Sequence, residues 1–305
     1  MRQAQAGSVA WLLLVGADLA GWTHLGLVTL LLALAPLVVV PLGFALPRPA
    51  GPTAWSRLLA VAQPVGALAV AGALLLPTGG LAAAMAGVWV GVCLFAGADE
   101  ITVWWRRRSR AVPDIARLGG FGYLCVGATW LVLDRLGVRP LDLPAEIVEL
   151  TAVHFHYAGF AAALMAGTAT ALASTAGRSP ASVATLLVLA GAPVVAAGFA
   201  AFGPLQIAGA VLLTVGLLTL AWVTVRSIVP NLLDQPARWL LTVSSLAVVV
   251  PMLLAVQWAV GHNYGTPALP IPDMALFHGS LNAFGFTLCG LLGWLRATNR
   301  PDAAT

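Results

Sequence analysis

Charged residues are scarce in this sequence, and lysine is absent altogether. Only 9% of the 305 residues are charged, whereas 60% are hydrophobic, and the mean hydropathy is +0.94. Soluble domains carry about a quarter charged residues, so this composition excludes an ordinary soluble fold. Apolar runs of roughly 18 to 25 residues fill almost the whole length. They predict an all-α, polytopic membrane helix bundle with one integral membrane domain over residues 1–305.

Cysteine and the common cofactor motifs are also scarce or missing. Cys93, Cys125 and Cys289 each lie in an apolar run without CxxC or zinc-binding spacing, so we interpret them as small core residues. The sequence has no GxxxxGK[ST], GxSxG, HExxH or strand-linked GxGxxG motif, and no spaced carboxylates typical of metal-dependent prenyl enzymes. Nucleotide energy coupling is therefore disfavoured, and no cofactor is predicted from motifs. A histidine-bound metal or haem needs none of these motifs.

Proline, glycine and arginine divide the apolar sequence into about ten candidate membrane spans. The N-terminal run has some features of a signal peptide, but Asp18 interrupts it, so it is interpreted as a retained first helix. If the first two spans form one broken unit, the count is nine. The predicted spans are 8–22, 25–46, 58–76, 81–105, 115–133, 147–173, 182–201, 205–226, 238–260 and 274–296.

The arginines predict which ends of these spans face the cytoplasm. Basic residues accumulate in cytoplasmic loops, which also accounts for the net charge of +4 without nucleic acid as a partner. With ten spans and both termini cytoplasmic, Arg135 and Arg139 are the only arginines outside. The thirteen inside are Arg2, Arg48, Arg57, Arg106, Arg107, Arg108, Arg110, Arg117, Arg178, Arg226, Arg238, Arg296 and Arg300.

The segment EIVELTAVHFHYAGF, residues 146–160, carries ionisable groups in an apolar run. Such groups are costly in a bilayer and face a partner or a cavity. At about 100° per helical residue, Glu149 and His156 lie on one face, while His154 points to another. The HxH pair therefore does not bind one metal from one helix face. Glu149, His154 and His156 are predicted to be catalytic, with Tyr157 and Phe160 as substrate-binding aromatics.

The last span repeats small and hydrogen-bonding residues along one stripe: His278, Asn282, Gly285 and Cys289. Such a stripe either packs against another helix or lines a pocket. The functional hypothesis adds His278 and Asn282 to the catalytic set and Phe284 and Phe286 to the substrate walls. It places the stripe opposite the Glu149 segment, at the outer face.

Two further groups of polar residues complete the candidates. The segment GHNYGTPALPIPDM is predicted to be an outer loop, which holds His262 and Asp273 as substrate-binding candidates. Asp99 and Glu100 lie at the inner end of the fourth span, where an ion-pair anchor at the interface is the favoured interpretation.

The strings ELTAVHFHYAGF (149–160) and HGSLNAFGFTLCGLLGW (278–294) resemble two signature segments of the YndJ-like family of bacterial membrane proteins. The resemblance covers residues 145–294 best, and the segment ADEITVWW (98–105) is similar too. It implies a multi-spanning fold in a bacterial cell membrane, with His154, His156, His278 and Asn282 as hallmark positions. It implies no particular activity.

Three functions fit these residues. The first is a membrane enzyme that uses Glu149 and His156 for acid–base isomerisation or cyclisation of a lipophilic, isoprenoid-like molecule taken from membrane lipid. The second is a small-molecule transporter of the ten-helix type, built from two five-helix halves. The third is a metal- or haem-binding protein with His154, His156 and His278 as ligands.

Overall fold

The structure, a computed structural model, describes residues 1–48, 51–200 and 202–299. These residues form ten long helices and no strand. We number the helices α1 to α10. Their bounds are Arg2–Leu19 (α1), Gly26–Ala45 (α2), Ala54–Leu75 (α3), Gly80–Arg107 (α4), Val112–Leu136 (α5), Ala145–Leu172 (α6), Thr175–Ala200 (α7), Gly203–Asn231 (α8), Gln235–Tyr264 (α9) and Ile271–Thr298 (α10).

The helical membrane bundle predicted from the sequence is confirmed. In the described part of the chain, nine helices are long and apolar enough to cross a membrane, and α1 is the one below that limit. Most bounds agree with the prediction within a few residues. Larger differences occur at three places: α1 begins at Arg2 rather than 8, α7 begins at Thr175 rather than 182, and α8 ends at Asn231 rather than 226. Helix α9 continues to Tyr264 rather than 260, so that His262 lies in a helix and not in the predicted loop.

The chain forms two compact units, which we call the first and second unit. The first contains residues 1–109 and 121–160, which include α1 to α4. The second contains residues 110–120 and the described residues from 161 onward, which include α7 to α10. Helices α5 and α6 each contribute to both. The single membrane domain over residues 1–305 stays a prediction.

Helix α2 is the central helix of the first unit. Its sequence is apolar on every side, as expected of a helix that is surrounded by others. Almost every side chain from Leu30 to Leu42 is buried. Pro36 and Pro41 lack the N–H that continues a helical ladder, and a π-helical turn occupies Ala35–Val39, which contains Pro36 and ends two residues before Pro41. The middle of this membrane helix is therefore interrupted.

Side chains from three neighbouring helices satisfy backbone carbonyls around this interruption. The indole N–H of Trp11 on α1 donates to the carbonyl of Leu30 over 2.7 Å. The hydroxyl of Tyr157 on α6 donates to the carbonyl of Leu31 over 2.8 Å, and the amide of Gln63 on α3 donates to the carbonyl of Pro36 over 2.7 Å. Without water in the bilayer, such bonds are what allows an irregular helix at that depth.

Helix α1 lies along the middle of α2. A methyl group added at Gly7 would come within 1.8 Å of the Leu37 carbonyl oxygen, so the two backbones touch there. Four residues further along α1, Trp11 reaches Leu30, which shows that the helices run antiparallel. Although α1 is less apolar than the other nine, its packing places it beside a helix that spans the membrane.

Close backbone approaches also organise the second unit. A Cβ at Gly198 of α7 would lie 2.1 Å from the Gln206 nitrogen of α8, and one at Gly209 of α8 would lie 2.4 Å from the Val195 nitrogen. At the start of α9, Asp234 accepts the Ala237 N–H over 3.1 Å and pairs with Arg296 of α10, also over 3.1 Å. Helix α10 is thereby fixed against the beginning of α9.

Candidate functional site

Glu149 is a half-buried carboxyl group near the start of α6. Its Oε1 accepts a hydrogen bond of 2.6 Å from the hydroxyl of Thr29, which lies near the start of α2. An ionisable group held by a single neutral donor in a membrane-spanning helix is a candidate for proton binding. The hydrogen bond between Thr29 and Glu149 connects α6 to α2, the helix whose middle is interrupted.

His156 is fully buried, and both of its ring nitrogens are used. Nδ1 lies 2.7 Å from the carbonyl oxygen of Ala152, which can only accept, so Nδ1 carries the proton. Nε2 accepts the indole N–H of Trp89 on α4 over 3.1 Å, and the two rings stack with their planes 17° apart. His156 is a neutral, satisfied residue, and its partners differ from those of Glu149.

Close packing on a third side fixes the His156 ring. A Cβ added at Gly127 of α5 would lie 2.8 Å from Nδ1, so only glycine fits opposite the imidazole. The His156 ring therefore joins α4, α5 and α6 within the first unit. This geometry favours a structural role for His156 over the proton transfer predicted with Glu149.

His154 lies on a different side of α6 and is exposed. Its Nδ1 is 2.6 Å from the carbonyl oxygen of Leu150, one turn earlier on the same helix. His154 and His156 thus face apart, as their spacing predicts for two residues of one helix. The two histidines of the HxH motif therefore lie in separate environments and do not form one chelating pair.

The aromatic side chains that were predicted to line a substrate cavity on α6 belong to the packed core. Tyr157 is 7% exposed, and its hydroxyl donates to the Leu31 carbonyl. Phe160 is fully buried and packs edge-on against Phe44 and Phe121, with ring centroids 6.1 Å and 5.4 Å away. These contacts leave both rings among protein atoms, where they stabilise the first unit.

In the second unit, His278 and Asn282 form a bonded pair on α10. Nδ1 of His278 lies 2.8 Å from the carbonyl oxygen of Pro251 on α9, and the Asn282 amide is 3.3 Å from Nε2. Each ring nitrogen of His278 therefore has a partner. Through His278, the stripe predicted on α10 contacts the backbone of α9 at the Pro251 carbonyl.

The remaining candidates of the second unit are two phenylalanines, Asp273 and His262. Phe286 is buried, and Phe284 is half-buried. Asp273 is exposed in the first turn of α10. His262 is exposed and stacks on Trp258 one turn earlier, with ring centroids 4.9 Å apart. Because α9 extends to Tyr264, the predicted loop is only residues 265–270, and it does not contain His262.

A metal centre has no ready ligand set in the described residues. Across 1–48, 51–200 and 202–299, no three His, Cys, Asp or Glu side chains group together as metal ligands. Of the predicted ligands, His154 and His156 belong to the first unit and His278 to the second. Their convergence on one outer site, with Asn282, stays a prediction.

The ion pair that the sequence suggested near the C-terminal end of α4 joins Asp99 and Glu100 to Arg48. Arg48, which follows α2, lies 2.8 Å from Asp99 and 3.0 Å from Glu100. All three side chains are at most 11% exposed. The Thr53 hydroxyl donates to Asp99 over 3.1 Å and also caps α3. The cluster fixes the connection between α2 and α3 to the end of α4.

Sequence reasoning missed four residues that build these sites: Thr29, Trp89, Gln63 and Trp11. Each is a hydrogen-bonding residue within an apolar run, and that isolation is the signal by which it could have been noticed. Their partners are a carboxylate, an imidazole and backbone carbonyls on other helices. Periodicity along one helix does not identify such partners.

Comparison with known proteins agrees with this architecture. Residues 30–286 match the family described as YndJ-like protein. The chain belongs to the YndJ-like family. A relative from Bacillus subtilis (strain 168), named "Uncharacterized membrane protein YndJ", is 24% identical over 240 residues. That alignment covers 78% of this chain and 42% of the relative, so the chain spans less than half the length of that protein. No solved structure matches this YndJ-like chain.

Proposed function

We propose that this YndJ-like chain is the carrier of a small, lipophilic molecule, and that the interrupted middle of α2 is the point where its structure changes. The observation that carries the proposal is the arrangement around Pro36. Two prolines and a π-helical turn interrupt the most buried helix of the first unit, and three neighbours hold its carbonyls through single hydrogen bonds. Carriers place discontinuous helices of this kind near the middle of the membrane.

The arrangement suits movement because each bond comes from a separate helix. The α2 carbonyls can be released one at a time by Trp11, Gln63 and Tyr157. At this point α2 already lacks a continuous ladder of backbone hydrogen bonds. A packed helix with an unbroken ladder would resist the same bend. Bending at Pro36 would move the first half of α2, which carries Thr29, relative to the half that follows.

Glu149 provides the ionisable group that a carrier needs to respond to protons or to cargo. Its hydrogen bond joins α6 to the first half of α2 through Thr29. Loss or gain of a proton at Glu149 changes the strength of this bond, since a charged carboxylate accepts more strongly than a neutral acid. The same two helices are connected again by Tyr157 and Leu31, closer to the interruption.

An acid–base enzyme is the second candidate, and the accessibility of Glu149 favours it. A half-buried carboxyl group with one neutral donor suits a general acid for isomerisation or cyclisation of an isoprenoid-like molecule. In this version Glu149 acts without His156, whose nitrogens are both occupied. A metal- or haem-binding function gains no support from the described residues.

Separate mass-spectrometric profiling of cells and medium distinguishes the two candidates. A carrier shifts a compound between cells and medium while its total in the culture stays constant. An enzyme lowers the total of one compound and raises that of another. Bacteria that express the wild-type chain are compared with an empty-vector strain and with cells that express Glu149→Gln.

We expect a shift in distribution for the wild type and its loss in Glu149→Gln. Glu146→Gln is the matched control, because Glu146 is exposed one turn earlier on α6. Tyr157→Phe should weaken the shift, whereas Tyr264→Phe, at a tyrosine that is 66% exposed, should not. If one compound is instead converted to another, the enzyme hypothesis replaces the carrier hypothesis. A shift that survives Glu149→Gln would remove this residue from the mechanism.

A further inference from the structure

Three consecutive arginines lie where α4 ends. Arg106 and Arg107 belong to its last turn and Arg108 caps it, and all three side chains are exposed. Arg108 has a left-handed backbone with φ 49°, and its N–H donates to the Trp104 carbonyl over 2.8 Å. Glycine adopts this conformation at the least cost, and the arginine found here adds a positive charge instead. Its guanidinium carbon lies 5.9 Å from the ring centroid of Trp105, which is a cation–π distance.

A fourth exposed arginine comes from the start of α3. Thr53, which caps α3, donates its hydroxyl to Asp99 of α4 over 3.1 Å, so α3 begins beside the last turns of α4. Trp55 packs edge-on against Phe95 of α4, with ring centroids 5.2 Å apart. Arg57 follows in the first turn of α3 and is exposed. We call the end of the first unit that holds Arg57 and residues 106–108 the arginine end.

No exposed acidic residue lies at the arginine end within residues 1–48, 51–109 and 121–160. The two acidic residues there are Asp99 and Glu100, which are buried and lie 2.8 Å and 3.0 Å from Arg48. The other acidic residues of the first unit lie toward its opposite end: Asp18, Asp134, Asp142, Glu146 and Glu149. The arginine end is therefore positively charged toward its surroundings.

The same end exposes tryptophan and aliphatic side chains. Trp105 is 65% exposed and Trp55 is 51% exposed. Ile101, one turn before Trp105, and Leu58, next to Arg57, are each 54% exposed. In membrane proteins, tryptophan gathers at the level of the lipid headgroups, and aliphatic side chains next to it contact the acyl chains. These features match a molecule with a negatively charged headgroup and an apolar tail.

We propose that the arginine end binds an anionic phospholipid, with Arg106 and Arg108 at its phosphate and Trp105 at the level of its headgroup. Arginine forms two parallel hydrogen bonds to phosphate oxygens, and basic clusters directly beyond a membrane helix attract anionic lipids. A soluble polyanion would use the arginines and leave the tryptophans and aliphatic residues without a partner. The inference goes beyond the proposed function and does not rest on it, because lipid binding is measured without a carried molecule.

Thermal unfolding of the purified full chain tests lipid binding. The chain is delipidated in detergent and transferred to mixed micelles that contain phosphatidylglycerol or phosphatidylcholine with the same acyl chains. We expect a saturable rise of the unfolding temperature with phosphatidylglycerol and a smaller one with phosphatidylcholine, because a ligand that binds the folded state stabilises it. Salt should reduce the difference, since it screens exposed charges. Equal responses to the two lipids would overturn the proposal.

Glycerol phosphate, which is the soluble headgroup without acyl chains, distinguishes a lipid from a free anion. At the same phosphate concentration it should leave the unfolding temperature unchanged, because the apolar tail and the membrane surface contribute to lipid binding. A rise as large as that with phosphatidylglycerol would show that the arginines bind a free anion, and it would contradict the lipid assignment.

Substitution locates the lipid at the arginine end. Each arginine near an anionic surface contributes about fivefold to affinity, so Arg108→Gln should raise the half-saturating fraction of phosphatidylglycerol by about that factor. Adding Arg106→Gln should raise it about tenfold or more. Arg139→Gln is the matched control, because Arg139 is exposed and follows α5 at the opposite end of the unit. An unchanged half-saturating fraction in the double variant would place the lipid elsewhere and contradict the assignment.

Discussion

Trp89 donates its indole N–H to Nε2 of His156, and this bond of 3.1 Å joins α4 to α6 in the core of the first unit. The opposite ring nitrogen is bound to Ala152, so the imidazole has no free coordination position. One of the two histidines in the HxH motif therefore has both ring nitrogens bonded within the core. A histidine in a membrane helix can be needed because it holds helices together.

Replacement of Trp89 by phenylalanine tests this role. The variant removes the donor and leaves Nε2 of His156 buried without a partner. We expect the free energy of unfolding to fall by about 1–3 kcal/mol. Denaturant-induced unfolding in mixed micelles measures the change. Trp22→Phe is the control, because Trp22 is 83% exposed, and it should change stability by less than about 0.5 kcal/mol. Equal stability of the two variants would contradict the structural role of His156.

Replacement of Gln63 by methionine tests the bond that holds the Pro36 carbonyl. Gln63 is 1% exposed, and its side chain is similar in size to methionine. The variant should lose about 1–3 kcal/mol of stability, because a buried carbonyl loses its donor. Hydrogen exchange should also become faster around residues 35–41, where the α2 backbone is already interrupted.

Gln257→Met provides the comparison for this prediction. Gln257 is exposed, and its amide reaches the Pro267 carbonyl only at 3.4 Å. That variant should leave both stability and exchange unchanged. If Gln63→Met leaves hydrogen exchange in α2 as slow as in the wild type, the Gln63 bond does not restrain the interruption.

Replacement of Arg48 by alanine tests the ion cluster at the end of α4. Asp99 and Glu100 are 4% and 6% exposed, and both lose a cationic partner in this variant. Removing one member of a buried ion pair costs about 3–5 kcal/mol, because the remaining charge is left in a medium that solvates it poorly. Arg57→Ala removes an exposed arginine on α3 and should cost far less. Similar losses in both variants would show that the cluster is not a specific anchor.

The side of the membrane on which each terminus lies tests the status of α1. Because α1 packs against the middle of α2, we expect it to cross the membrane as a tenth span. An even number of spans returns both termini to the same side, which the arginine distribution predicts to be the cytoplasm. Reporter proteins that are active on one side only, fused in turn to each end of the full chain, measure this. Opposite sides for the two termini would mean nine spans.

The helices of this protein could be read from its sequence with little error. Apolar length and the punctuation by proline, glycine and arginine are properties of one chain segment at a time, so α2 to α6 appear near their predicted bounds. The start of α7 was predicted at residue 182, whereas the helix begins at Thr175 and contains Arg178 and Pro180, two of the residue types taken as punctuation. Proline is tolerated in membrane helices when neighbours satisfy the freed carbonyl.

The candidate site was less predictable, because its chemistry depends on which helices are neighbours. The sequence by itself determined a membrane bundle, the polar positions on α6 and α10, and the separation of His154 from His156, since all of these follow from composition and helical period. Only the tertiary structure decided that Thr29 bonds to Glu149, that Trp89 donates to Nε2 of His156, and that Gln63 donates to the Pro36 carbonyl. These are contacts between residues far apart in the chain, and their partners are set by packing and by the need to satisfy polar groups away from water.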